Sequence, residues 1–192
     1  STRKRSSAAS DVYKRQNGYS DDLIPGLRQS VVPIRSIQVA TKPLSDNIRA
    51  SVLPGLHAPS DTRHLLLYFR TDAEGRFIMG ARGAYSAEAT RSCQAEARAV
   101  SKQLFPQLGA VEWDYHWGGY IAATSNNYPQ LNDFGNGITA GLGYNGRGVA
   151  MATAMGKVLA DFAIGVPVAD LDFPVTPLHR LPSVSYTHLT LP

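Results

Sequence analysis

Between Gly137 and Val149 the chain reads Gly-Ile-Thr-Ala-Gly-Leu-Gly-Tyr-Asn-Gly-Arg-Gly-Val, and an Ala-rich stretch follows to Ile164. The pattern predicts a short small-residue strand over 137–142, a glycine turn, and a helix over Gly148–Ile164 that stops before Gly165 and Pro167. Glycine lets a backbone reach positive φ and approach a ligand closely. The free amides of the first helical turn, with the helix dipole, favour negative charge at that point. Three readings of the turn are open. Gly141, Gly143 and Gly146 spell G-x-G-x-x-G, a dinucleotide loop. That loop needs a second parallel strand and an acid about 20 residues on. Asp161 has the offset but sits inside the helix, and no further strand–helix–strand unit follows. The second reading is a packing turn without a ligand. The third is a ligand-facing helix N-terminus of another kind.

The rest of the chain reads as strands first and helices later. Val31–Ala40 alternates and is β-branched, a strand bounded by Lys42-Pro43. Asp46–Asp61 is rich in Pro and Gly and reads as loop with short pieces of strand. Arg63–Arg70 and Arg76–Gly80 flank Thr71-Asp-Ala-Glu-Gly75 and read as a β-hairpin. Ser86–Phe105 carries Ala89, Cys93, Ala97, Val100 and Leu104 at helical spacing, with Ser86 at the N-cap and Pro106 as the stop. Val111–Thr124 reads as a strand with Trp113, Tyr115 and Trp117 on one face. Asn126–Asn136 reads as a polar loop, and the proline-punctuated tail to Pro182 as an extended surface segment. The expected class is α+β with a mainly antiparallel sheet.

Composition narrows the function classes. Apolar residues make up 43% and charged residues 18%, which excludes a disordered or coiled-coil chain. A single cysteine excludes a disulfide scaffold and a cysteine-built zinc site. His57, His64 and His179 show no metal-ligand spacing. No apolar run reaches the ~18 residues of a membrane span. The net charge of +4 would point to nucleic acid, but it lies entirely in residues 1–16. There Arg3, Lys4, Arg5, Lys14 and Arg15 face Asp11 alone.

The two ends resemble translated sequencing adapter. Val184–Pro192 can be back-translated to a DNA whose reverse complement, in another frame, encodes Ala8–Arg15. One transposon-type library element in opposite orientations accounts for both. On this reading residues 1–16 and 184–192 stand outside the fold. Residues 17–183 are then an internal fragment that is neutral by count, and nucleic acid is not an expected partner.

Four segments in order resemble the D-amino-acid oxidase superfamily of FAD-dependent oxidoreductases, which includes glycine and sarcosine oxidases. They are Val31–Leu44, with its Ala-Thr-Lys-Pro-Leu ending, the hairpin Leu67–Gly80, Trp117–Pro129, and Gly143–Val149. The γ-glutamylputrescine oxidase-like branch is most similar, over nearly all of residues 17–166. The resemblance implies a cytoplasmic two-domain flavoenzyme that oxidises a C–N bond of an amine or amino acid to an imine. It implies a substrate-domain portion over 17–136, an FAD-binding strand–turn–helix over 137–166, and an extended tail over 167–183. The N-terminal FAD domain of the same polypeptide is expected outside this chain, and the fragment alone is expected to be inactive. The C-terminal helix would pack on that missing domain. Gly143, Tyr144, Asn145, Gly146, Arg147, Gly148 and Val149 are the implied FAD-binding positions. Their amides would face the pyrimidine side of the flavin ring, where negative charge gathers on reduction.

Departures from the family pattern carry information. Ile121 stands where amino-acid oxidases place an arginine for the substrate carboxylate, a strong bidentate contact when present. An amine substrate fits this position better than a simple α-amino acid. Asn126 replaces a common aspartate and Arg147 a common histidine. Tyr68, Arg70, His116 and Trp117 are the candidate substrate residues. Two have a plainer alternative, the core for Trp117 and strand packing for His116; Tyr68 and Arg70 lie on the hairpin, where they would face the active site. Cys93 is expected to be buried and inert. A nicotinamide-dependent dehydrogenase and a non-catalytic domain of the same fold are the alternatives to a flavoenzyme.

Overall fold

The computed structural model describes residues 17–22, 24–63, 66–84 and 86–181. The adapter-like ends and His64 lie outside the described residues. In chain order the elements are β1 (Val32–Pro43), α1 (Asp46–Ser51), β2 (Tyr68–Thr71), β3 (Arg76–Arg82) and α2 (Ala87–Leu104). Then come β4 (Trp113–Ala123), β5 (Gln130–Asp133), β6 (Thr139–Leu142) and α3 (Gly148–Ala163). The fold is α+β, as expected. None of the described helices is long and apolar enough to cross a membrane.

The described residues group into two compact units, residues 33–121 and residues 17–32 with 122–181. This division falls at 32/33 and 121/122, whereas the sequence reading places its boundary at 136/137.

The unit 33–121 is a four-stranded sheet in the order β2-β3-β1-β4. β3 pairs antiparallel with both β1 and β2. Strand alternation sends Ile37, Val39, Phe77, Met79 and Ala81 to one face, where they are buried with Ala97 of α2 and Leu108. Phe77 sits at the centre, 5.4 Å from the Phe105 ring and 6.2 Å from the Phe69 ring. α2 begins where its sequence signals it: the Ser86 hydroxyl accepts from the Ala89 amide at 3.1 Å. Thr90, Gln94, Ala97 and Ser101 form its buried stripe, with Cys93 half-buried at its edge. α1 was expected to be loop. Ser45 stands at its N-cap without a side-chain bond to the helix, Asp46 occupies its first turn, and Ile48 packs on the core. Six residues cannot hold a helix alone, so tertiary contact makes it.

In the other unit β5 and β6 pair antiparallel, with Gln130 opposite Leu142 and Asp133 opposite Thr139. β5 lies inside the segment expected to be a polar loop. Gln130, Leu131 and Asn132 are all buried. A polar side chain buried on each side of Leu131 breaks the apolar alternation that would have marked a strand. Leu131, Met155 and Val158 form one core, joined by Leu171, Phe173 and Val175 from the tail. The tail is pinned by the Thr176 amide on the Leu131 carbonyl, at 2.8 Å. Leu27, Val31, Ala122 and Leu142 form a second core.

Candidate cofactor-binding turn

β6 leaves Leu142 into Gly143 at φ +77°, and the turn continues through Asn145 at φ +52° and Gly146 at φ +86°. Three left-handed residues in four reverse the chain sharply enough to start α3 at Gly148. Gly143 has no room for a side chain: a Cβ there would lie 2.4 Å from Thr124 Cγ2. Its amide donates to Asn17 Oδ1 at 3.0 Å.

Asn145 locks the turn to the end of β4. Its amide donates to the Ala122 carbonyl at 3.0 Å. Its Oδ1 accepts from the Thr124 amide at 2.9 Å, and its Nδ2 donates to Thr124 Oγ1 at 3.1 Å. Nδ2 also bonds the Gly143 carbonyl across the turn. Thr124 Oγ1 passes the linkage on to the Tyr128 carbonyl at 2.8 Å. Asparagine tolerates left-handed backbone better than other non-glycine residues, so it supplies both the conformation and the bonds.

Behind this locked turn α3 begins uncapped. Arg147 occupies the N-cap without a side-chain bond to the helix, and the first turn holds no acid. The first amides of a helix have no partner within it. Here only the fourth finds its usual one, Met151 N–H on the Arg147 carbonyl at 3.0 Å. Val149, beside these amides, is 94% exposed. The helix therefore presents its positive end, with Arg147 exposed next to it. β5 and β6 are antiparallel, and no strand follows α3 among the described residues. The parallel frame that a dinucleotide G-x-G-x-x-G loop needs is therefore not built here.

Tyr144 is half-buried and its hydroxyl donates to the Gly141 carbonyl at 3.0 Å. Burial pushes its phenol above the ordinary value. The folded protein then holds the proton more tightly than the unfolded chain does. This contribution to stability is complete below the unfolded-chain value near 10, and it is lost as pH rises through the folded value. Tyr144→Phe is expected to cost about 1 kcal/mol near neutrality, for the lost bond, and to flatten the alkaline decline. Denaturant midpoints of both proteins at about pH 8 and about pH 11 check this.

The structure brings all seven turn residues together at one helix end. The four candidate substrate residues fall in the unit 33–121. Tyr68 and Arg70 share β2, at one edge of the sheet; His116 and Trp117 are exposed on β4, at the other edge. Sequence reasoning missed Thr124 and Asn17, which hold the turn in place. Among the described residues no group of three or more His, Cys, Asp or Glu is placed to hold a metal.

The DAO family, described as FAD-dependent oxidoreductases, matches residues 16–162. The chain belongs to this family. Among curated relatives, the “probable oxidoreductase OrdL” of Rhizobium meliloti (strain 1021) is 36% identical over 149 residues, 78% of this chain and 34% of its own length. The γ-glutamylputrescine oxidoreductase of Escherichia coli (strain K12) is 28% identical over 165 residues, 85% of this chain and 39% of its own. The chain thus spans well under half the length of these curated relatives. Glycine oxidase from Geobacillus kaustophilus shares the fold with a TM-score of 0.60 at 19% identity, over 82% of this chain and 41% of that one. Iminodiacetate oxidase from Chelativorans sp. BNC1 does so with a TM-score of 0.56 at 21% identity, over 78% of this chain and 39% of that one.

Proposed function

We propose that this chain is the C-terminal part of a DAO-family flavoenzyme that oxidises the C–N bond of an amine or amino acid to an imine. One observation carries the reading: in a member of an FAD-dependent family, the turn Gly143–Gly148 is locked in front of an uncapped, unshielded helix end. The donor set fits the flavin. Main-chain amides beside an arginine suit a flat ring edge bearing carbonyl oxygens, and Val149 supplies apolar surface beside them. FAD, when bound, would supply the acceptor for a hydride from the carbon next to the substrate nitrogen.

The chain's own residues would do the rest. The amides of Gly148, Val149 and Ala150 would hold the ring edge and stabilise negative charge there. Asn145, through Thr124, would keep those amides from rotating away. No residue in the chain is assigned as acid or base; an amine that binds neutral needs none. The N-terminal FAD domain, carried on the same polypeptide outside this chain, would cover α3. Its outward positions Ala152, Gly156 and Ala160 are small and exposed and would permit close packing.

Anaerobic mixing of the full-length polypeptide with amines and amino acids tests the reading. The expected result is bleaching of the visible flavin band and a carbonyl product from imine hydrolysis. Turnover that required a nicotinamide cofactor instead would contradict it.

A further inference from the structure

Asparagine followed by glycine occurs three times in the sequence, at Asn17-Gly18, Asn136-Gly137 and Asn145-Gly146. The pair has a chemistry of its own. Glycine has no side chain to shield its amide nitrogen, and that nitrogen can attack Cγ of the preceding asparagine. A C–N bond forms, the side-chain amide leaves as ammonia, and a five-membered succinimide remains. Water then opens the ring to aspartate or isoaspartate. No electrons change hands, and water is the only co-reactant. Ring closure requires an asparagine side chain that is free to swing onto the next amide nitrogen.

The fold treats the three pairs differently. Asn145 is held on both sides. Its Oδ1 accepts from the Thr124 amide at 2.9 Å, and its Nδ2 donates to Thr124 Oγ1 at 3.1 Å and to the Gly143 carbonyl. Asn17 has one bond, its Oδ1 accepting from the Gly143 amide at 3.0 Å. Asn136 is exposed at the tip of the β5–β6 hairpin, and its side chain makes no hydrogen bond or ion pair among the described residues. Asn136 and Gly137 have φ +52° and +78°, both positive, as a type I′ hairpin turn requires. The Ile138 amide closes that turn on the Gly135 carbonyl at 3.0 Å, which leaves the Gly137 amide outside the bond. Nothing lies within 4 Å of where a Cβ on Gly135 or Gly137 would stand. No packed neighbour at these two glycines resists the rotation that brings Asn136 Cγ to the Gly137 nitrogen.

We propose that Asn136 is a site of spontaneous deamidation, and that the Thr124 lock spares Asn145 the same reaction. The product carboxylate adds a negative charge to a hairpin that already carries Asp133. The same exchange at Asn145 would remove its Nδ2 donor and set a negative charge on the turn before α3. Three bonds must open before Asn145 can close the ring, which slows it about 100-fold relative to Asn136. Asn17, with one bond, falls between them.

The test ages the full-length polypeptide in mildly acidic and in mildly alkaline buffer. Peptide mass spectrometry reads the amide-to-acid mass shift at each asparagine, and enzymatic carboxyl methylation reads the isoaspartate. Asn136 is expected to convert first, and faster in the alkaline buffer, where the attacking nitrogen loses its proton more readily. Asn145 is expected to remain an amide over the same period. In denaturant the two are expected to convert at similar rates, because the lock is gone. Thr124→Val removes the hydroxyl and one bond to Asn145. It is expected to speed conversion at Asn145 about fivefold and to leave Asn136 unchanged. Should Thr124→Val fail to fold, the native and denatured wild-type rates carry the comparison. An Asn136 that stays an amide in the folded protein while the denatured chain converts would overturn the proposal. So would an Asn145 that converts as fast as Asn136 in the folded protein.

Discussion

Asn145→Ala is expected to destabilise its unit by about 4 kcal/mol and to lower the melting temperature by roughly 10 °C or more. Two effects add. The side chain makes three bonds, two to Thr124 and one to the Gly143 carbonyl, each worth about 1 kcal/mol net. Alanine must also adopt φ +52°, which costs a β-carbon-bearing residue on the order of 1 kcal/mol. The cognate variant Asn145→Gly separates the two, because it loses the bonds and keeps the conformation. It is expected to recover about 1 kcal/mol of the loss. Thermal denaturation of the three proteins measures both terms. If alanine and glycine are equally harmful, the left-handed backbone contributes nothing. If both are harmless, the turn is not held by Thr124.

Phe77→Ala is expected to cost about 4 kcal/mol, within the usual range for deleting a buried phenylalanine. Phe77 is fully buried. It contacts Phe69 and Phe105, whose own centroids lie 5.5 Å apart in an edge-to-face arrangement. Removing it leaves a cavity at the point where β2, β3 and the end of α2 converge, so the site collapses poorly. Phe77→Leu fills most of the volume and is expected to cost less than about 2 kcal/mol. Urea midpoints at constant m-value decide this. An alanine variant with the leucine variant's midpoint would mean that the core relaxes into the space.

The regular elements were legible wherever local signals and long-range packing agree. α2 shows this: Ser86, the helical spacing of Ala89, Cys93, Ala97 and Val100, and Pro106 all mark the same helix. The hairpin and the strand–turn–helix at Gly137–Ile164 were readable for the same reason. α1 and β5 were not, because neither is stable by its own composition. α1 needs Ile48 on a core built from distant strands, and β5 buries Gln130 and Asn132, which look like loop residues. The site was half legible. The glycines announced the turn, but its lock joins residues 21 positions apart, Thr124 and Asn145, through a side-chain amide that no periodicity reveals.

Flavin content of the purified full-length polypeptide tests the central claim most directly, measured beside the same measurement on residues 17–183. One FAD per full-length chain is expected, with loss of much of that flavin in Asn145→Ala during gel filtration and no flavin on the 17–183 chain. A full-length protein isolated without flavin and unable to take it up, or a 17–183 chain that binds FAD stoichiometrically, would contradict it.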